Sequence, residues 1–167
     1  MKLKKQIVQW HDSYSVGIHL VDEQHKELIN LTNKLYEASI QGWDKSKDAF
    51  MNTVHAAVDY AGYHFSTEEK IMERINYPDY LSHKKEHSDF VKEVLRQVQD
   101  FQAGQKVSAN DFVLFLKNWV LTHIAVCDKK MGLYLIKLKR EGALHNITMQ
   151  IKQETPTGAE GVRLIIK

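Results

Sequence analysis

Apolar residues recur at intervals of three and four along most of this chain, the spacing that gathers them on one face of a helix. In "VDEQHKELINLTNKLYEASIQG", Leu28, Leu31, Leu35 and Ala38 form such a stripe, and Gly42 is expected to end that helix as a C-terminal cap. A second helix follows, with Asp44 of "GWDKSKDAF" as its N-cap, and runs to about Asn76, where "NYPDY" breaks the pattern. A third extends from Tyr80 to about Gln102 and stops at Gly104. The fourth starts at "SANDF", where Ser108 can cap and Asp111 can reach back, and runs to about Arg140, ahead of Gly142. Connections of only a few residues make sequential helices antiparallel. The pattern therefore predicts an all-α domain over residues 1–140, an up-down-up-down antiparallel four-helix bundle with a short N-terminal arm ending near Gly17.

Residues 141–167 follow a different rule. "ITMQIK" alternates apolar and polar residues, "VRLIIK" is a second β-prone run, and "QETPTGAEG" between them is turn chemistry. This tail reads as a candidate β-hairpin. A lone hairpin is marginal in water, so it is expected to pack on the bundle, pair with another chain or stay mobile, and to serve as a dimerisation element or a handle for a protein partner.

Composition narrows the function classes. Lys and Arg total 23 against 21 for Asp and Glu, a net charge of +2, which gives no basic footprint for nucleic acid. No apolar run reaches the length of a membrane span, and the basic start "MKLKKQIVQW" lacks the apolar stretch of a secretory signal. The single cysteine, Cys127, permits no internal disulfide, which fits a reducing compartment and a cytoplasmic location. Proline is scarce, as long helices require, and there are nine histidines.

Five of those histidines fall at telling positions. His25 lies on the first helix; His64 and Glu68, one turn apart, on the second; His83 and His87, also one turn apart, on the third; His123 and Asp128 on the fourth. One HxxxE or HxxxH pair alone would be read as structural. Donors on each of four predicted helices make coincidence improbable. Imidazole suits iron, zinc, copper and nickel, and this set exceeds what one tetrahedral zinc needs. Two octahedral ions sharing both carboxylates and a solvent-derived bridge would use the whole set and leave one position open for a small ligand such as dioxygen. His123 and Asp128 pose a difficulty, since five residues on an ideal α-helix separate them by roughly 140°. Either they straddle the metals or a π-bulge brings them together. Cys127, four residues after His123, is aligned with it as a thiolate ligand would be, but is read as a buried, inert cysteine. His11, His19, His55 and His145 are read as structural, Glu69 and Glu73 as solvated helix charges, and Asp22 as a partner of the helix N-terminus or an acceptor for a ligand histidine. Trp119, Tyr60, Leu28 and Ile29 are expected to wall the site or to pack the core.

"YSVGIHLVDEQHKELINLTNKL", "HFSTEEKIM…YPDYLSHKKEHSDF" and "HIAVCD" together resemble successive signatures of the hemerythrins in their bacterial single-domain form, over about Trp10 to Arg140. The resemblance implies a centre of two non-haem irons (Fe2+/Fe3+) with an oxo or hydroxo bridge. His83, His87 and His123 would bind one iron, His25 and His64 the other, and Glu68 and Asp128 would bridge them. It implies reversible dioxygen binding for transport, storage or delivery, without enzymatic turnover. Sensing through the tail, or turnover of peroxide or nitric oxide, are the alternatives. The chain departs from the family at Met131, where tyrosine is common, and in its tail. The ferritin-like diiron pattern, Glu-x-x-His on two helices plus a Glu from each of the others, is a poor match to a set this rich in histidine.

Overall fold

A computed structural model of the chain describes residues 6–40, 43–105, 108–143, 150–151 and 162–163. Its helices are α1 (His19–Ile40), α2 (Trp43–Arg74), α3 (Tyr80–Gln102), α4 (Ala109–His123) and α5 (Lys129–Arg140). A π-helical turn, Ile124–Asp128, joins α4 to α5, so the last two helices form one arm and the molecule is the four-helix bundle the periodicity predicts. α1 packs on α2 and α4, and α2 packs on α3.

The helix ends follow from local chemistry. α2, α3 and α5 each close with the same pair of backbone bonds. After α5 these are Gly142 N–H to Lys139 O and Ala143 N–H to Leu138 O; after α3, Gly104 to Phe101 and Gln105 to Asp100; after α2, Asn76 to Glu73 and Tyr77 to Met72. The residue at the crossing needs a positive φ, which glycine adopts without strain and asparagine tolerates. It is 72° at Gly142, 76° at Gly104 and 49° at Asn76. Ser108 caps α4 as expected, its hydroxyl accepting from Asp111 N–H. Asp44 departs from expectation in position: it falls within α2, which runs Trp43–Arg74, and not at the flanking position of an N-cap. The stop assigned to Gly42 lies outside the described residues, as does His145.

The arm is strapped down by two side chains of α1. Asn33 accepts from the backbone of Ile7 and Val8 and donates to Val8 O. Asp22 accepts from the Ser15 hydroxyl and from Val16 N–H. Asp22 therefore anchors the arm and does not serve a ligand histidine. In the tail, Gln150–Ile151 (β1) and Val162–Arg163 (β2) pair antiparallel, with Ile151 opposite Val162, in keeping with the hairpin read from the alternation.

The core has two apolar halves. One gathers Leu28, Leu35, Phe65, Phe90 and Ile124, the other Val21, Ile71, Met72, Met131 and Leu135. Along each helical arm the switch from one half to the other falls at the predicted donors: His25 on α1, Glu68 on α2, His83 and His87 on α3, Asp128 at the end of the π turn. A buried polar layer crosses the bundle between them.

Candidate metal centre

All seven predicted donors meet in that layer, and all are buried. They form two overlapping groups. Glu68, His83, His87, His123 and Asp128 place one ligand atom each within 4.8 Å of one another; so do His25, His64, Glu68 and Asp128. The two carboxylates belong to both and divide their oxygens between them. Glu68 Oε1 faces His64 Nε2 at 3.5 Å and His25 Nε2 at 3.6 Å, while Oε2 faces His87 Nε2 at 3.3 Å and His83 Nε2 at 3.6 Å. Asp128 Oδ2 stands 3.1 Å from His25 Nε2, and Oδ1 stands 3.1 Å from both His83 and His123. Shared carboxylates with one oxygen on each side are the arrangement that holds two cations side by side.

The π turn makes this possible. Its i→i+5 bonding lets residues five apart share a face, so Asp128 returns to the side of His123. The bulge, and not a straddling of the metals, resolves the spacing problem.

The donor set fits a metal on its own chemistry. Neither oxygen of Glu68, neither oxygen of Asp128 and neither ring nitrogen of His25 has a hydrogen-bond partner among the described residues. Buried polar atoms are almost always bonded, so orphans this concentrated point to a ligand. His25 and Asp128 are close enough, but the ring N–H is not aimed at the oxygen. On the other side, the Nε2 atoms of His83 and His87 each lie 3.0 Å from that of His123, so three imidazole nitrogens converge on one point, where a cation or shared protons must hold them together.

The outer ring nitrogens are held by residues that the sequence did not single out. Thr67 donates its hydroxyl to Tyr63 O and accepts from Gln24 Nε2. That fixes the Gln24 amide with Oε1 toward His64 Nδ1 at 3.0 Å. His64 is thereby set as the Nδ1–H tautomer, with its Nε2 lone pair directed inward. His87 Nδ1 is 3.3 Å from Glu69 Oε1, and His123 Nδ1 is 3.1 Å from Glu86 Oε2. Glu69 is therefore not a mere solvated charge, because the turn of α2 that carries Glu68 inward swings it across to α3. Glu73 is exposed, as expected; His11, His19 and His55 are exposed and stand apart from the donor layer; and Cys127 is half-buried, not buried, because the π turn brings it to the rim beside Glu86. Gln24 did carry a signal, a polar residue inside the stripe Val21–His25–Leu28; Glu69 and Glu86, beside ligands on charged helix faces, carried none.

Aromatic rings brace the imidazoles. Phe65 stacks on His87 with centroids 3.9 Å apart, and Trp119 on His123 at 4.4 Å. Next to them, an apolar cavity offers about 40 Å³ to the centre of a water-sized sphere, with His64, His123 and Asp128 at its metal end and Leu28, Phe65, Trp119 and Ile124 among its walls. A single water needs roughly 10–15 Å³ on that measure, so a diatomic ligand fits. Tyr60 packs against the same apolar cluster and Ile29 is buried on α1, but neither is among the residues that line the cavity, so both serve packing.

Without metal, protons substitute for it. Burial opposes the charged form of His25 and of His83, but the carboxylates Asp128 and Glu68 outweigh it and raise both to about 9. Burial dominates at His64 and lowers it to about 4. Burial alone would raise Glu68 and Asp128; the surrounding imidazoles, His64 foremost for Glu68 and His123 for Asp128, hold both below the usual carboxylate range. The signs give a stability optimum. Between the unfolded value of about 6.5 and pH 9 the folded metal-free chain binds more protons at His25 and His83 than the unfolded one, so stability falls as pH rises. Below about 6.5 the unfolded chain binds the extra proton at His64, so stability falls as pH drops, and the carboxylates add to the loss at lower pH. Melting of the metal-free protein should therefore peak near pH 6.5. Anaerobic ferrous loading should release protons below pH 9 and tighten as pH rises toward it; a pH-independent affinity over that range would contradict this electrostatic account.

Residues 16–134 match the Hemerythrin HHE cation binding domain. The chain is 32% identical over 123 residues to a bacteriohemerythrin of Stenotrophomonas maltophilia, covering 74% of this chain and 78% of that protein. It is 35% identical over 115 residues to one of Pseudomonas aeruginosa, with 69% and 72% covered. Among solved structures it superimposes on a wild-type hemerythrin crystal structure with a TM-score of 0.71 at 28% identity, covering 77% of this chain and 98% of that one.

Proposed function

The chain belongs to the hemerythrin family, and from that premise we propose that it binds dioxygen reversibly at two non-haem irons, for oxygen transport, storage or delivery. His83, His87 and His123 would hold one ion, His25 and His64 the other, with Glu68 and Asp128 shared. The observation that carries this reading is the division of both buried carboxylates between two imidazole groups of unequal size. The group with two imidazoles has fewer protein donors, so it offers the position for an incoming ligand, and the cavity reaches it at His64 as it reaches the other group at His123. When bound, iron supplies the redox electrons that dioxygen binding requires.

The protein's part is to hold and to shield. Phe65 and Trp119 fix ring planes, and Gln24 fixes the His64 tautomer. Leu28, Ile124 and their neighbours keep water from the ligand end of the cavity. Thr32, the one hydroxyl on the cavity wall among the described residues, spends its proton on Leu28 O. The cavity thus lacks a ready proton donor, which favours release of dioxygen over its turnover. We place the functional domain at residues 1–140 and treat 141–167 as a separate tail and potential protein handle. No described helix is long and apolar enough to cross a membrane; a cytoplasmic location rests on the lone cysteine.

The test is spectroscopic. Iron-loaded protein is reduced anaerobically and then exposed to oxygen. A visible charge-transfer band should appear with oxygen and vanish when oxygen is removed under argon. Conversion straight to an oxidised form that argon does not reverse would overturn the carrier reading.

A further inference from the structure

The three outer hydrogen bonds of the imidazole ligands are not equivalent. Gln24 offers His64 a neutral amide oxygen. Glu69 offers His87 a carboxylate, but its other oxygen is tied to Lys84 Nζ at 3.0 Å, which offsets its charge. Glu86 offers His123 a carboxylate with no lysine or arginine paired to it among the described residues, and the oxygen that accepts from His123 Nδ1 also accepts from the Cys127 thiol at 3.0 Å. The π turn creates this junction, because it places Cys127 beside Glu86 while returning Asp128 to the donor layer.

We infer that Glu86 is a positioning residue that sets the electron-donating strength of His123, and that the Cys127 thiol moderates it through the shared carboxylate oxygen. This rests on the reading that these imidazoles hold iron. An anionic acceptor draws the Nδ1 proton outward and makes Nε2 a stronger donor, which stabilises the more highly charged metal ion. The three-imidazole position, where His123 sits, is therefore biased toward the ferric state relative to the position backed by Gln24. The thiol works in the opposite sense. Two donors on one oxygen compete, so the S–H bond weakens the hold of Glu86 on the imidazole. Cys127 is thereby tied to the metal by one surface carboxylate without being a ligand itself. Glu86 is about half exposed, 51% of its side chain, so water screens it and its influence belongs at the low end of the roughly 10–100-fold range for such partners.

The experiment compares iron-loaded wild type, Glu86→Gln and Cys127→Ala by anaerobic spectroelectrochemical titration, after iron content has been measured for each. Loss of the anion should weaken the ferric form by about tenfold relative to the ferrous form and raise the potential by about 59 mV for one electron. Cys127→Ala should lower it. In the zinc-loaded protein the His123 Nδ1-bound proton should move in opposite directions in the two variants, a readout that does not depend on iron. An unchanged or lowered potential in an iron-replete Glu86→Gln, or shifts of the same sign in both variants, would overturn the inference while leaving the carrier reading intact. A wild type that takes up no iron would overturn both.

Discussion

Replacing Glu68 by alanine is expected to empty both metal positions, whereas His64→Ala should empty only one. Glu68 is fully buried and directs Oε1 to His25 and His64 and Oε2 to His83 and His87. Its loss removes a ligand atom from each group at once. It also leaves Asp128 as the sole carboxylate of the donor layer for two divalent ions, so the charge balance is weakened along with the geometry. The expected loss of iron affinity is more than about 100-fold, beyond the usual cost of deleting an outer partner. His64→Ala leaves the five-residue group intact and should retain about half the iron of the parent. The ratio is measured by elemental analysis after anaerobic ferrous loading and desalting, with far-ultraviolet circular dichroism to confirm that the helices persist. The helices are checked separately because Glu68→Ala also removes a charge partner of protonated His25 and His83 in the metal-free protein, so some loss of stability is expected beside the loss of iron. Wild-type iron content in Glu68→Ala would refute the shared-carboxylate assignment.

The sequence disclosed much of this site because its donors interrupt an otherwise regular pattern. His25, Glu68, His83, His87 and Asp128 occupy positions where the apolar stripe would place leucine, and a helix exposes such interruptions at fixed spacing. The stops at Gly104 and Gly142 were legible for a similar reason, since a left-handed residue is a local requirement. Other features depend on tertiary placement. Nothing local separates a π-bulge from a straddling geometry at His123 and Asp128; the choice is made by the need to return Asp128 to the layer shared with α1, α2 and α3. Glu69 and Glu86 look like any charge on a solvated face until α3 is laid beside α2 and the π turn. Asp22 could serve either the arm or a histidine, and only the path of the arm decides it.

Metal removal should destabilise the whole bundle, because the donor layer is the junction between its two apolar halves. In the metal-free protein that junction holds ionised carboxylates, protonated His25 and His83, and orphaned polar atoms, none of which supplies the cohesion of a packed core. Bound metal replaces those protons and links all four helical arms through side chains that are already buried. A ligand present at about 1,000 times its dissociation constant stabilises the folded state by about 4 kcal/mol. At about 2–4 °C per kcal/mol for a domain of this size, one such ion should raise the melting temperature by about 8–16 °C, and two ions by more. Anaerobic chelation followed by thermal melting measures this directly. Hydrogen exchange should locate the loosening in the turns that carry His25, Glu68, His87 and Asp128, with α1 and α2 remaining helical. Equal melting temperatures with and without metal would mean that the layer is already satisfied without a cation. The orphaned atoms of Glu68, Asp128 and His25 would then have to find their partners in trapped water.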